Sequence, residues 1–214
     1  MLFFKQNKLQ MVQVDEALVG RKTPLTIVDP HYVSRHPMKP PYPDGFKEAL
    51  FALGCFWGAE RVFWQIKGVY VTSVGYAGGF TSNPTYEEVC TGLTGHAEAV
   101  HIVYDPNVVA YRDLLVTFWS CHNPTQGFRQ GNDIGTQYRS VVFILSDDQM
   151  AVAKNTRQEY QELITRQDIE GVITTEIVEG SVFYYAEQDH QQYLAKNPNG
   201  YCGLGGLGIC LDQN

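Results

Sequence analysis

The sequence predicts an α+β two-layer sandwich: a mixed sheet with a ferredoxin-like core, an extended N-terminal arm and a glycine-rich C-terminal tail. Three observations carry this reading. Strand-like and helix-like runs follow one another in the order β-α-β-β-α-β, then α-β. The 214 residues are 44% hydrophobic and 18% charged, enough for one domain with a substantial core. Six of the ten prolines (Pro24, Pro30, Pro37, Pro40, Pro41 and Pro43) precede residue 45, where they remove donors and favour extended chain. Helix-strand alternation keeps a doubly wound α/β sheet as the runner-up. Residues 1–45 are read as an arm packed on the body, with plain disorder as the alternative. Residues 46–198 form the α+β domain and 199–214 a mobile tail, within a single domain overall.

Each element has its own local signal. Ala49-Leu50-Phe51-Ala52-Leu53 is a short apolar run, which predicts a buried strand over 47–54. Ala59, Val62, Phe63 and Ile66 fall at i, i+3, i+4 and i+7, one face of an amphipathic helix over 58–67. Gly68 ends it, and Val69 to Val74 supplies a second strand. Glycines and Pro84 mark a loop over 75–84, and a third strand follows over 97–104. The turn Asp105-Pro106-Asn107 leads into a helix over 109–121. After a polar, glycine-containing loop, Val141 to Leu145 form a strand over 140–145. Ser146-Asp147-Asp148-Gln149 resembles a capping box opening a long helix to about residue 166. Ile173 to Val178 is the last predicted strand, and Asp189 to Tyr193 lie in a predicted helix.

Bulk properties narrow the function. A net charge of −7 without a Lys/Arg cluster argues against nucleic acid or an anionic membrane as partner. No apolar stretch approaches the roughly 18 residues of a membrane span. Met1-Leu2-Phe3-Phe4 is interrupted by Lys5 and Lys8, so no signal peptide is read. The whole chain is expected to be the mature, cytoplasmic protein. Five cysteines, an odd number without any Cys-x-x-Cys, do not make a disulfide framework, a zinc ribbon or a thioredoxin-type pair.

The run Gly54-Cys55-Phe56-Trp57-Gly58 places a cysteine where a strand becomes a helix. The unpaired N–H groups and positive end of that helix favour thiolate over thiol, and thiolate is the nucleophile. The bland alternative is a buried cysteine acting as a small hydrophobe. The segment from Gly200 to Cys210 holds five glycines in eleven positions around Cys202 and Cys210, a tail suited to moving them. Together these suggest a thiol relay. Cys55 would be oxidised by substrate, Cys202 would form a disulfide with it, and Cys210 would carry the oxidised state outward.

Glu98 follows His96 at the start of a strand whose Ala97, Ala99 and Val100 are apolar. Lost hydration there raises a carboxyl's pKa and makes it an acid near neutral pH. A strand-end glutamate paired with a base is the structural alternative. His96 and Glu98 also match half of a zinc deaminase signature, but the Pro-Cys-x-x-Cys it requires is missing. The loop 131–140 presents Asp133 and Tyr138 as candidate substrate contacts, with Arg139 as a contact or a structural ion-pair partner. Asp189-His190-Gln191-Gln192-Tyr193 reads equally as a solvated helix face or as part of a site.

These motifs resemble one family: peptide methionine-(S)-sulfoxide reductase, class A, the MsrA family. The resemblance runs from about Phe46 to Cys210 through Gly-Cys-Phe-Trp-Gly at 54–58, Tyr-Ala-Gly-Gly at 76–79 and Asn-Pro-Thr-Tyr at 83–86. It continues through Gly-His-Ala-Glu at 95–98, Gly-Asn-Asp at 131–133, Gln-Tyr-Arg-Ser at 137–140, Asp-His-Gln-Gln-Tyr at 189–193 and the cysteine-bearing tail. The resemblance implies an α+β fold with a ferredoxin-like core. It implies reduction of methionine-(S)-sulfoxide, free and in oxidised proteins, as protein repair under oxidative stress. It makes Cys55 the nucleophile and Phe56 and Trp57 the aromatic walls for the substrate methyl. Glu98 becomes the acid at the sulfoxide oxygen, assisted by Tyr86 and Tyr138, and Asp133 positions substrate or water. Cys202 and Cys210 become the resolving and recycling cysteines. Thioredoxin, or dithiothreitol in vitro, is the implied reductant of a monomer without bound cofactor or metal.

Cys90 and Cys121 match no catalytic position of the family and are read as buried and inert. Two competing functions remain. One is a peroxidase using the same relay, against which the Phe-Trp pair argues because a peroxide has no methyl to bind. The other is a metal-binding module using His96, Glu98, His101 and a cysteine.

Overall fold

The computed structural model describes residues 8–211. Residues 1–7, including the run Met1–Phe4 and the start of the expected arm, and residues 212–214 of the tail lie outside the described residues. The elements in chain order are β1 (Lys47–Leu53), α1 (Phe56–Trp64), β2 (Val69–Ala77), α2 (Tyr86–Cys90), β3 (Ala97–Tyr104) and α3 (Tyr111–Cys121). A small ribbon follows, β4 (Arg129–Gln130) with β5 (Asp133–Ile134), and a single 3₁₀ turn over Thr136–Tyr138. The chain then forms β6 (Ser140–Ile144), α4 (Asp147–Arg166), β7 (Glu176–Glu179), β8 (Tyr184–Tyr185) and α5 (Tyr193–Lys196).

The main sheet has the order β7-β6-β1-β3-β2-β8. All pairings are antiparallel except β6 with β7, so the sheet is mixed. Its centre, β6-β1-β3-β2, comes from two interleaved units. The crossover through α1 places β2 on one side of β3 and β1 on the other, and the crossover through α3 places β3 and β6 on either side of β1. This is the ferredoxin-like arrangement.

Side-chain alternation gives the sheet two different faces. Phe51, Leu53, Val100, Ile102 and Val142 meet Ala59 and Phe63 of α1, Leu115 and Phe118 of α3, and Tyr160 and Ile164 of α4. Inside this layer the indole Nε1 of Trp119 donates to Thr156 Oγ1 at 3.0 Å, which satisfies both buried polar groups. The opposite face carries Leu50, Ala52, Ala97, Ala99, Val141 and Phe143 and is covered by Val178 and Phe183. Farther along, Ile27 and Met38 of the arm cover Val71 and Val103. With both faces covered, all eight residues of β3 are buried, which is why that strand reads as a near-continuous apolar run.

Residues 8–46 form no helix or strand, but backbone bonds tie them to the body. Leu18 N donates to Leu93 O and Arg21 N to Ser82 O, both at 2.9 Å. Residues 199–211 also form no helix or strand, and Leu204, Leu207 and Ile209 pack on the main core. Glycine there has a second use beyond freedom of motion: a Cβ on Gly206 would lie 1.9 Å from the carbonyl oxygen of Ser120. Only glycine lets the tail pass that close to α3.

Several boundaries differ from the sequence reading, for identifiable reasons. The predicted loop begins three residues late, because Gly75, Tyr76 and Ala77 continue β2 opposite Ala99, Glu98 and Ala97. Gly75 marks a close approach rather than a turn, since a Cβ there would be 2.2 Å from Tyr184 O. The last predicted strand is displaced: Ile173 joins the core, and pairing with β6 starts at Glu176. Asp189 to Gln192 are not helical; the helix is only α5, entered through Gln192 at φ +48°. Ser146 makes no side-chain cap, because its Oγ donates to Asp148 Oδ1 at 2.6 Å instead. Gln149 nonetheless reaches back and accepts from Leu145 N at 2.9 Å.

Candidate active site

The centre of the site is the junction between β1 and α1. Gly54 turns the chain out of the strand at φ +102°, and Cys55 becomes the N-cap of α1. A side chain on Gly54 would strike Gln130, at 2.6 Å from its Cγ, so the turn requires glycine in two ways. The free N–H groups of Trp57 and Gly58, in the first turn of α1, face the sulfur of Cys55.

Glu98 comes from the middle strand of the sheet and faces the helix layer. One carboxyl oxygen, Oε2, accepts from Phe56 N at 3.0 Å, the residue after the cysteine. Strand β3 and the N-terminus of α1 thereby hold acid and thiol side by side. A cavity of about 110 Å³ opens between them, lined by Cys55, Phe56, Trp57, Tyr86, Glu98, Asp133, Tyr138 and Tyr201. Tyr86 begins α2, Asp133 belongs to the β4–β5 ribbon, and Tyr138 ends the 3₁₀ turn. Loops of very different sequence position thus converge on one small hollow.

Burial sets the protonation of the site. Glu98, only 2% exposed, is pushed up to about 8 by desolvation. The Phe56 N–H pulls it down, and the nearby Asp133 carboxylate pushes it further up. At neutral pH the carboxyl keeps its proton. Burial also lifts the Cys55 thiol well above its ordinary value; Glu98 and Asp133 add to this, while the Trp57 and Gly58 N–H groups oppose it. This corrects the expectation that the helix end makes Cys55 a thiolate. Desolvation outweighs the two N–H groups, and the resting cysteine is a thiol. The Tyr86 and Tyr138 hydroxyls are likewise raised by burial, so both are donors at neutral pH.

The aromatic wall is braced from behind by a residue assigned no particular role from sequence. Trp57 Nε1 donates to His190 Nδ1 at 3.0 Å, and the indole stacks on Tyr193 with ring centroids 3.9 Å apart. His190 also lies against Tyr86, at 4.4 Å between centroids. Nearby, Glu187 accepts from Tyr86 N at 2.7 Å and from Tyr76 Oη at 2.8 Å. Gln191 bonds the backbone of Val74, so the segment 187–193 supports the site rather than forming a solvated helix face.

Other candidates are not part of this hollow. His96 is tied to Gly79 N at 3.0 Å and Thr81 O at 2.7 Å, a structural role. His101 pairs with Glu48 at 2.6 Å on the sheet face opposite Glu98. Among the described residues no three His, Cys, Asp or Glu side chains converge as metal ligands, so the imagined His96–Glu98–His101 cluster is not assembled. Arg139 holds the carbonyls of Thr136 at 2.9 Å and Gly95 at 3.0 Å, with Glu176 at 3.5 Å. Cys121 is pushed up to about 12 by burial, and Cys90 is raised for the same reason.

All five cysteines are free thiols. Cys202 lies on the first turn of α1, where a Cβ on Gly58 would come 2.9 Å from its sulfur. Cys210 is away from the cavity, exposed, and accepts from Ser120 Oγ at 3.1 Å. Tyr201 lines the cavity but was not singled out from sequence. Its only signal there was its place next to Cys202.

Residues 47–206 match the profile of peptide methionine sulfoxide reductase. The chain belongs to the peptide methionine sulfoxide reductase family. The enzyme is accordingly an oxidoreductase, a peptide-methionine (S)-S-oxide reductase of the MsrA class. It is 58% identical over 208 residues to peptide methionine sulfoxide reductase MsrA 2 of Nostoc sp., covering 97% of this chain and 93% of that relative. It is 57% identical over 204 residues to MsrA of Brucella ovis, covering 95% and 93% of the two chains. Methionine sulfoxide reductase A of Corynebacterium diphtheriae has a similar structure, with a TM-score of 0.83 at 42% identity over 90% of this chain and 93% of that one. Reduced Mxr1 of Saccharomyces cerevisiae superposes with a TM-score of 0.69 at 36% identity, covering 76% and 91%.

Proposed function

We propose that this enzyme reduces methionine-(S)-sulfoxide, free and in proteins, by attack of Cys55 on the sulfoxide sulfur. The observation that carries this reading is the shared position of a protonated, buried Glu98 and the Cys55 sulfur at the first turn of α1, in a cavity walled by Phe56 and Trp57. A sulfoxide oxygen is a strong acceptor and a poor leaving group, so attack at sulfur needs a proton delivered to oxygen. Glu98 supplies it, with the hydroxyls of Tyr86 and Tyr138 as further donors and Asp133 positioning substrate or water. The methyl lies against the two aromatics, the oxygen toward the polar side, and that arrangement admits one epimer.

The balance is simple. One thiol and one sulfoxide give a sulfenic acid on Cys55 and a thioether. The Cys202 thiol then displaces water to form the Cys55–Cys202 disulfide. Attack by Cys210 on Cys202 releases Cys55 as a thiol and leaves Cys202–Cys210. An external dithiol, which we take to be thioredoxin as the family resemblance implies, reduces that bond. Mxr1 of Saccharomyces cerevisiae has been solved in complex with Trx2. We further propose a monomeric, cytoplasmic protein-repair enzyme. The aromatic walls favour this over a peroxidase, whose substrate offers no methyl.

Thiol counting after one addition of substrate tests the relay. Wild type is expected to lose two thiols and hold a Cys202–Cys210 bond. Cys55→Ser should fail at a single turnover, because serine lacks an adjacent base here. Cys202→Ser should reduce one sulfoxide and stall as a sulfenic acid trappable by dimedone. Cys210→Ser should stop at Cys55–Cys202. Full thioredoxin turnover by Cys210→Ser would end the relay at Cys202.

A further inference from the structure

We infer that the buried carboxyl of Glu60 is a positioning residue for the substrate wall, acting on Trp57 through the turn at 190–193. The inference rests on the reading above that Trp57 holds the substrate methyl, and deepens it. Glu60 lies one turn beyond Trp57 on α1 and is fully buried, yet it takes no part in the thiol relay or the acid step. It grips one residue of that turn twice. Oε2 accepts from Gln192 N at 2.7 Å, and Oε1 accepts from Gln192 Nε2 at 2.8 Å.

The grip falls where the turn needs it. Gln192 stands at φ +48°, in the left-handed region that residues other than glycine rarely adopt, so its surroundings must hold it there. Two residues before it, His190 accepts the Trp57 indole N–H at 3.0 Å. Directly after it, Tyr193 stacks on the same indole with centroids 3.9 Å apart. Glu60 therefore fixes the backbone between the two side chains that meet the indole at its edge and at its face. Because Trp57 and Glu60 share one helix, the wall and the anchor of its support move as a unit.

The N-terminal arm is built into the same network. Tyr32 N donates to Gln192 Oε1 at 3.0 Å, and Gln192 Nε2 also faces the sulfur of Met38 at 3.4 Å. His31 of the arm is fully buried, and its Nδ1 accepts from Val33 N at 3.1 Å and Ser34 N at 2.9 Å. Two donors at Nδ1 leave the ring proton on Nε2. That nitrogen donates to Thr72 Oγ1 at 3.1 Å, and Thr72 donates in turn to Glu60 Oε1 at 3.1 Å. Burial lowers His31 to about 4, so the ring is neutral near pH 7 and the donors run one way, from arm to strand to helix. Glu60 thus receives three hydrogen bonds, which satisfy a group that burial would otherwise penalise.

Proton NMR of the full-length reduced enzyme tests this, because the indole N–H of Trp57 is one of three and is identified by its loss in Trp57→Ala. Glu60→Gln keeps the side chain's size but offers Gln192 one acceptor and one donor in place of two acceptors. Gln192→Gly takes the positive φ without strain and removes the side-chain half of the grip, so it serves where Glu60→Gln does not fold. Either is expected to move the Trp57 resonance toward that of a free indole, while that of Trp119, bonded to Thr156, stays in place. In single turnovers on a methionine-(S)-sulfoxide peptide, the half-saturating concentration should rise roughly 3–10-fold, the worth of about one buried methyl group. That rise should exceed the fall in the saturating rate, as expected when uniform binding is lost. In a Trp57→Ala background the same substitution should add little. An unmoved Trp57 resonance, an equal rise in both backgrounds, or a loss confined to the saturating rate would overturn the inference. A Trp57→Ala enzyme that saturates at the wild-type concentration would instead sink the reading of Trp57 as the wall for the methyl.

Discussion

Replacing Glu98 by glutamine separates its chemical role from its packing. Gln keeps the size of the side chain and an oxygen for the Phe56 N–H, which now sits 3.0 Å away, but it cannot deliver a proton. A carboxyl titrating at about 8 is about nine-tenths protonated at pH 7, so nearly every wild-type molecule carries the acid. The expected loss in the single-turnover rate is therefore the usual contribution of a positioned acid, about 10²–10⁴-fold. It should shrink at low pH, where solvent supplies the proton. The wild-type rate should fall as pH passes above about 8, and the variant should lack that limb.

The same shift has a second consequence, measurable without substrate. The folded pKa of Glu98 is raised above its ordinary 4.5, so the folded state binds more protons than the unfolded one between pH 4.5 and 8. The stability this group contributes is present below 4.5 and is lost as pH rises through 8. At ~1.4 kcal/mol per pKa unit, the loss between pH 4.5 and 7 is about 3 kcal/mol. Gln does not titrate, so Glu98→Gln should gain about 3 kcal/mol relative to wild type over that range in denaturant unfolding. A constant difference between the two proteins from pH 4.5 to 7, or a variant that keeps most of its rate at neutral pH, would refute the protonated acid.

Two further outcomes follow from close contacts. Gly58→Ala would place a methyl 2.9 Å from Cys202 Sγ and 3.0 Å from Leu204 Cγ, both on the C-terminal segment. The tail should give way, so rapid-quench thiol mapping is expected to show slower formation of the Cys55–Cys202 disulfide, by roughly threefold or more. His122, fully buried, is lowered to about 4 by desolvation, with its Nδ1 bonded to Phe118 O at 2.6 Å. Its contribution to stability is present above its ordinary 6.5 and is lost as pH falls through 4, so His122→Gln should flatten the acid side of the stability curve.

Much of the fold was legible because local pattern and tertiary environment agree. Strand β3 and helix α4 fall where their apolar patterns place them, although Ser146 makes no side-chain cap, since burial on both sheet faces and a long amphipathic face leave little alternative. Reading failed where a distant partner decides the backbone. The end of β2 reads as a glycine loop, yet Tyr184 pairs beside Gly75 and makes it strand. The segment 189–192 reads as helix, yet the buried side chains of Gln191 and Gln192 bond to Val74 and Glu60 and hold it in turns.

The site divides in the same way. Residue order alone singled out the side chains that we propose do the chemistry: a cysteine flanked by glycines and aromatics, an acid on an apolar strand, and two thiols in a glycine-rich tail. Those are properties of covalent neighbours, and the sequence carries them in full. Only the tertiary structure decided the protonation of Cys55, because desolvation depends on everything packed around the sulfur and here outweighs the helix N–H groups. It also decided that His190 braces Trp57 and that Tyr201 reaches Asp133. Those contacts join residues 133 and 68 positions apart, and only the folded chain brings such distant side chains within hydrogen-bonding reach.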